Sequence, residues 1–388
     1  MTLPRLVLIT RRFWPLVGGA EMVAARLAAG LQARGAGTTI LTARWHRQWP
    51  AEIEHHGVRV VRLDNPRLRG WGTLRYMQSV TRWLKEHRAS FDLAYVSMLK
   101  HDAYAAVTAG RRERFPVVLR AEGAGVTGDC YWQLEANCGL RIKRRCFQAD
   151  AFLAPSPAIE RELIAAGYDR QRIHYLPNGV PMPEDGDANS RVQSRADLAA
   201  AEPSLVHDTD APLVVYTGRL HPMKGLEYLL GAWPEVLRRV SRARLWIVGD
   251  GPDRWRLMGL IETMGLSTSV RLVGPFDDVE EFLRAADVFV LPSLEEGMSL
   301  ALLEAMAMGL PVVATAIPAN EVLVDPEVGR LAPTRDPSSL AAAIASLLTD
   351  RETAARLGRA GRARVAERFS LDKMVTEHLR LFERLVSP

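Results

Sequence analysis

Residues 292–315 read PSLEEGMSLALLEAMAMGLPVVAT, and the fold is decided there. The apolar run VFVL, residues 288–291, stands before them. A loop carrying Glu295, Glu296 and Gly297 comes next, then apolar residues at helical spacing up to Met308, a stop at Gly309 and a second apolar run, PVVA. Strand, loop, helix and strand in that order make a unit of parallel sheet. The helix is expected to start at Ser299 or Leu300. Its first amides have no carbonyl one turn back to bond, and ligands of such sheets sit at the carboxyl ends of the strands. The amides near Ser299, Leu300 and Ala301 are therefore a candidate diphosphate site. Glu304 lies among Leu302, Leu303, Ala305 and Met306. A carboxylate is costly to bury there unless a ligand donates to it, and a ribose diol supplies two donors. Glu296, just ahead of the helix, is placed to accept from sugar hydroxyls.

Toward the N-terminus the same grammar repeats. LVVYTG opens a strand at Leu213, and Arg219 and Lys224 follow in a Pro/Gly loop before another helix. Two cations beyond one strand end suit a pyrophosphate leaving group. Gly249-Asp250-Gly251-Pro252 follows the strand Leu245–Val248 and reads as a tight turn beside a ligand. The first 180 residues alternate short Val/Ile/Leu runs with longer helical patterns, starting at LPRLVLIT, residues 3–10. Gly18 and Gly19 follow that first strand, where glycine lets a phosphate approach the backbone and the next helix offers its N-terminus. The spacing is not GxGxxG, so a dinucleotide fingerprint is absent.

Residues 181–212 are rich in Pro, Asp, Ala, Ser and Glu without periodicity, which reads as a linker. The expected organisation is a domain over 1–182, a linker over 183–212, a second domain over 213–370 and a closing helix over 371–388. The length of 388 residues fits two cores rather than one. Charge is divided unevenly. Residues 1–180 carry 27 Lys+Arg and 15 Asp+Glu, a net of +12, and the remainder carries a net of −7. A basic first half favours an anionic partner such as a lipid surface. No run approaches the roughly 18 apolar residues of a membrane span. An odd cysteine count, three, argues against a disulfide framework and for a reducing, cytoplasmic setting, peripheral to the inner membrane face where the basic half meets lipid. Cys130, Cys138 and Cys146 lack the spacing and partners of a metal site. No basic-aromatic motif supports nucleic-acid binding.

These segments resemble the GT-B glycosyltransferases, and within them glycosyltransferase family 4. Glu296 and Glu304 match its E-x7-E pattern. Arg219, Lys224 and Gly225 match its R-x4-K-G element, Gly18 and Gly19 its glycine-rich first loop, and Pro177–Val180 (PNGV) the segment leading to its linker. The resemblance implies two facing Rossmann-like β/α/β domains with an interdomain cleft. It implies retention of anomeric configuration without a metal or other cofactor, a nucleotide-sugar donor (UDP- or GDP-linked) in the second domain, and a sugar or lipid-linked acceptor on the first. Arg219 and Lys224 then bind the donor diphosphate, Glu296 the donor sugar, Glu304 the ribose, and Gly19 with the Ser299–Ala301 amides the phosphate. Gly249 and Asp250 line the donor.

One departure stands out. Many relatives carry His-Gly after the strand matching PVVLR, and here the position holds Glu122, in Arg120-Ala121-Glu122-Gly123. Glu122 and His101 are the candidate polar groups on the acceptor side. Two other functions fit the same resemblance: an inactive nucleotide-sugar-binding protein, and a sugar-nucleotide epimerase. The intact Glu296/Glu304 and Arg219/Lys224 sets favour the transferase.

Overall fold

A computed structural model describes residues 3–387 apart from 17, 67–70, 185–187, 203–204, 206–209 and 277. The chain forms two compact units, residues 1–179 with 371–388, and residues 180–370.

The first unit is built on eight strands: β1 (Leu6–Ile9), β2 (Thr38–Arg44), β3 (Glu52–His55), β4 (Val58–Asp64), β5 (Leu93–Ser97), β6 (Val117–Arg120), β7 (Ala151–Ala154) and β8 (Ile173–Tyr175). Their order is β3-β4-β2-β1-β5-β6-β7-β8, and every pairing is parallel except β3 with β4. Strands β1, β5, β6 and β7 are buried along their whole length, as a sheet covered on both faces requires. The short strand β3, EIEH, was not foreseen, because its polar alternation lies at an edge. From β1 the chain moves outward through β2 and β4 and returns at β5 on the other flank of β1. That reversal opens a crevice outside the carboxyl ends of β1 and β5.

The C-terminal helix Leu371–Val386 belongs to this unit and lies on the helix Gly19–Ala33. A Cβ on Gly30 would stand 2.5 Å from Val375 Cγ2, so the two helices approach closely there. Arg34 donates to Thr376 Oγ1 at 2.8 Å. His378 is fully buried against Tyr95 and Phe382, and burial drives its pKa down to about 3, which keeps the ring neutral.

The second unit holds β9 (Leu213–Thr217), β10 (Arg244–Val248), β11 (Val270–Gly274), β12 (Val288–Leu291), β13 (Val312–Thr315) and β14 (Gly329–Ala332). All are parallel, in the order β11-β10-β9-β12-β13-β14. The chain again leaves through β10 and β11 and returns at β12 beside β9. The core includes Trp233 and Trp246, and the Trp233 indole N–H donates to Ser269 Oγ at 3.1 Å. The helical tail divides into Pro337–Thr349, Arg351–Arg368 and the crossing helix; Asp350 caps the second by accepting from Thr353 N.

The expected linker over 183–212 is corrected by a helix, Ala188–Ala201, that belongs to the second unit. It lacks an apolar stripe because an ion pair fastens it. Arg195, 5% exposed, donates to Ala285 O at 2.9 Å and meets Asp287 Oδ2 at 2.8 Å. Asp287 also accepts from Leu213 N at 2.8 Å, the first residue of β9. Removing one partner of a buried pair strands the other. Arg195→Ala should lower the unfolding free energy of this unit by about 3 kcal/mol in urea titrations. Arg191→Ala, which removes the more exposed Arg191–Asp287 contact, should cost less than about 1 kcal/mol. Equal losses would mean the helix is held otherwise.

Candidate functional site

In the second unit the switch point lies between β9 and β12, and the two loops leaving those strands carry the predicted residues. Their backbones touch. Gly225 has φ +65°, and a Cβ there would stand 2.1 Å from Pro292 O. Leu294 N donates to Met223 O at 2.8 Å. This contact makes glycine obligatory at 225 and brings Lys224 beside Glu296. Lys224 Nζ lies 2.6 Å from Glu296 Oε1, and Ser293 Oγ donates to the same oxygen at 2.7 Å. The resemblance implies separate ligand contacts for the two side chains; the fold pairs them with each other.

Three further groups brace these loops. Tyr216, fully buried, donates from its hydroxyl to Arg219 O at 3.1 Å. Burial first, and the Glu296 carboxylate second, hold its phenol well above the usual range, so it stays a donor. Thr315 Oγ1 donates to Ser293 O, and Asn320 Nδ2 donates to Thr315 O at 2.9 Å. Sequence reasoning missed Tyr216, Ser293, Thr315 and Asn320. Their signal was a polar atom at or just past the end of an otherwise apolar strand. Arg219 itself is exposed at the loop tip.

The helix Leu300–Ala307 starts where expected. Ser299 caps it, its Oγ accepting from Leu302 N at 3.3 Å and its carbonyl from Leu303 N. The amides of Leu300 and Ala301 therefore have no helical acceptor and are open to an anion. Glu304 is half-buried on the second turn. Gly249 follows β10 with φ +141°, and its Cβ position lies 1.9 Å from Gly218 O, so that turn supports the Arg219 loop from below. Asp250, exposed, accepts through its carbonyl from Leu220 N at 2.9 Å.

In the first unit the corresponding crevice collects Gly18, Gly19 and His101. Gly18 is extended and the helix begins at Gly19. A Cβ at Gly19 would meet nothing within 4 Å, so the fold makes no demand for glycine there. The Glu21 carboxylate reaches back over Gly18 and lies 3.9 Å from Arg12. It sits near the helix N-terminus that an incoming phosphate would use. His101 starts the helix His101–Glu113, edge-on to Trp132. Burial, then the charges of Arg11 and Lys100, lower its pKa, which leaves a neutral imidazole.

Glu122 lies at the end of β6 in an ion pair with fully buried Arg120, Nε to Oε1 3.0 Å, and Ser97 donates to that oxygen at 2.8 Å. Burial raises its pKa, and Arg120 opposes the rise. Arg120 also donates to Asn178 of the PNGV segment. Asp129, 3% exposed, accepts from Leu99 N at 3.1 Å and from Glu122 N at 2.8 Å, tying together the loops after β5 and β6. The three cysteines are free, and burial pushes the Cys130 thiol up to about 12, so it is an inert group. Among the described residues no group of three or more His, Cys, Asp or Glu side chains is placed to hold a metal.

Two family models match the chain: the one described as glycosyl transferase 4-like domain over residues 18–179, and the one described as glycosyl transferases group 1 over residues 211–350. The chain belongs to the group 1 glycosyltransferases. The lipopolysaccharide core biosynthesis glycosyltransferase LpsE of Rhizobium meliloti (strain 1021) is 34% identical over 185 residues, which is 47% of this chain and 53% of that one. Sucrose-phosphate synthase from Thermosynechococcus elongatus superposes with a TM-score of 0.81 at 23% identity, covering 98% of this chain and 99% of that chain. Anabaena Alr3699/HepE in complex with UDP-glucose gives 0.79 at 20% identity, covering 97% and 100%. These likenesses show the GT-B fold. The matched stretch spans about half the length of LpsE and of two further curated relatives, 53%, 58% and 44%.

One buried group outside these contacts titrates near neutrality. Asp102 is 5% exposed, its Oδ1 meets no partner, and burial raises its pKa to about 7 despite the Arg11 charge. The native state thus binds a proton more tightly than the unfolded chain between the ordinary carboxylate range and about pH 7. Unfolding free energy must fall as pH rises through that window. Asp102→Asn should flatten this decline in denaturant titrations between about pH 4 and 7; an unchanged slope would place its origin elsewhere.

Proposed function

We propose that the protein is a retaining, metal-independent glycosyltransferase that moves a hexosyl group from a nucleotide-sugar to an acceptor hydroxyl in cell-surface polysaccharide or glycolipid synthesis. The observation that carries this reading is the Lys224–Glu296 contact at 2.6 Å, set at the switch point beside the open helix start at Ser299. Each partner is held by the other until a donor arrives. A diphosphate gives Lys224 a stronger counter-charge, and the Leu300 and Ala301 amides take further oxygens. Glu296, released, accepts from the sugar hydroxyls while Glu304 takes the ribose diol. Arg219 and Lys224 then neutralise the leaving diphosphate as the acceptor hydroxyl attacks from the face the nucleotide leaves. On this reading the cation role belongs to these two side chains. Bound UDP-glucose in HepE supports UDP as the first nucleotide to test.

His101 and Glu122 are the polar groups proposed for the acceptor side. A neutral imidazole takes a hydroxyl proton directly, whereas Glu122 acts as half of its pair with Arg120. Thermal shift with UDP-, GDP- and ADP-sugars should show stabilisation by one class. Glu304→Ala should weaken that donor's binding by about tenfold or more. Lys224→Ala should lower turnover by about a hundredfold with a smaller change in donor affinity. Wild-type rates in either variant would contradict the assignment.

The proposed setting is the cytoplasmic face of an anionic membrane. Among the described residues no helix is long and apolar enough to cross one. The support is a surface of the first unit where Val126, Tyr131, Leu134 and Leu140 are 57%, 44%, 60% and 55% exposed. They stand on consecutive segments leading into the helix Gly139–Cys146, which carries Arg141, Lys143, Arg144 and Arg145. Apolar side chains beside cations suit an anionic bilayer surface. The protein should float with phosphatidylserine-containing liposomes at low salt and less at high salt. Absence of flotation at low salt would end this part of the reading.

A further inference from the structure

A cavity of about 1040 Å³ lies in the first unit, and neither His101 nor Glu122 lines it. One wall is the end of the sheet. Arg44 and Asp64 are the last residues of β2 and β4, paired in register, and Arg44 Nη2 meets Asp64 Oδ1 at 2.8 Å. The loop after β2 supplies Trp45 and Arg47. The opposite wall is the helix Trp71–Glu86, which turns Arg75, Gln78, Ser79 and Arg82 into the cavity. Their spacing of three, four and seven residues puts them on one face. The other face of that helix buries Tyr76, Val80, Trp83 and Leu84.

Among the described residues of these walls four arginines stand against one aspartate. Arg44 is committed to Asp64. Among the described residues Arg47, Arg75 and Arg82 make no ion pair, and all three are exposed. Three like charges around one hollow repel one another, and the fold gains nothing visible by gathering them. A hollow lined by one sign of charge raises the local concentration of counter-ions, and the guanidinium fork matches a phosphate group bidentately.

The rest of the lining narrows the ligand. Trp45 is a flat apolar surface of the kind a pyranose ring packs on, and its indole N–H, donating to Arg11 O at 3.0 Å, fixes the ring. Gln48, Asn65, Gln78 and Ser79 offer donors and acceptors suited to hydroxyls. Among the described residues Pro66 is the other apolar group of the lining, too little for an acyl chain. The volume is at the top of the roughly 300–1,000 Å³ range of small-molecule sites, far more than a bare phosphate fills.

We infer that this cavity binds a phosphorylated sugar, the phosphate held by Arg47, Arg75 and Arg82 and the ring laid on Trp45. Its place as part of the acceptor rests on the transferase reading; the binding itself does not. The shared chemistry, a sugar bearing a phosphate, comes either from a soluble sugar phosphate or from a glycolipid headgroup.

The test is calorimetric titration of the full-length protein, at low salt, with glucose 6-phosphate and with glucose. Glucose 6-phosphate should bind at least about tenfold more tightly than glucose. The double variant Arg75→Gln/Arg82→Gln should lose that advantage. Both positions are exposed, and circular dichroism checks that the variant is folded. Arg219→Gln should keep the advantage, which separates this site from the phosphate site of the second unit. A parallel arm uses phosphatidylcholine vesicles doped with phosphatidylinositol. Vesicle binding lost in the double variant, with no soluble binding in wild type, assigns the phosphate to a lipid headgroup. If neither probe separates wild type from the double variant, or if glucose binds measurably and as tightly as its phosphate, the inference is overturned. Thermal shift with UDP-glucose on the same samples reads the second unit independently, so either conclusion can fail alone.

Discussion

The loops after β9 and β12 meet backbone to backbone, Gly225 against Pro292 O and Leu294 N on Met223 O, and the site of the second unit depends on that contact. Gly225 is needed because the Pro292 carbonyl occupies the space of any Cβ. The consequence reaches chemistry directly. A backbone approach at 225 sets Lys224 against Glu296, and the contact is strong because Glu296 is largely removed from water. A buried carboxylate with a lysine and a serine on one oxygen is satisfied; the same carboxylate without the lysine is not. On the proposed function, donor binding is an exchange of partners, because Lys224 and Glu296 are paired with each other.

The first unit solves a related problem with acids. Asp129 joins the loops after β5 and β6 through two backbone amides, and Arg120 joins the end of β6 to the PNGV segment through Asn178. The polar edge of this sheet is thus held by buried charges whose partners come from distant parts of the chain. Glu122 belongs to that frame, its carboxylate held by Arg120 and Ser97. His101 is held below the usual imidazole range by burial and by the charges of Arg11 and Lys100.

Much of this was legible in the sequence. Strand β12, the loop of Glu295 and Glu296, and the helix from Ser299 or Leu300 to its stop at Gly309 followed from periodicity and turn residues, all local signals. The parallel strands were legible because burial on both faces leaves near-continuous apolar runs. The helix Ala188–Ala201 was not, because Arg195 and Asp287 fasten it across 92 residues of chain, and no window of sequence contains that pair. Strand β3 was hidden by its polar edge position. The Lys224–Glu296 contact was missed for the same reason as the helix. Both residues were picked out singly, but the contact arises from adjacency of β9 and β12, which lie 72 residues apart along the chain at this point.

The proposed chemistry requires that Lys224 change partner. A crystal structure of the protein with UDP-glucose bound tests this most directly. The Lys224 ammonium should leave Glu296 and bond a diphosphate oxygen, with Glu296 on the sugar hydroxyls. A bound donor whose diphosphate lies elsewhere, with the Lys224–Glu296 contact intact, would contradict it.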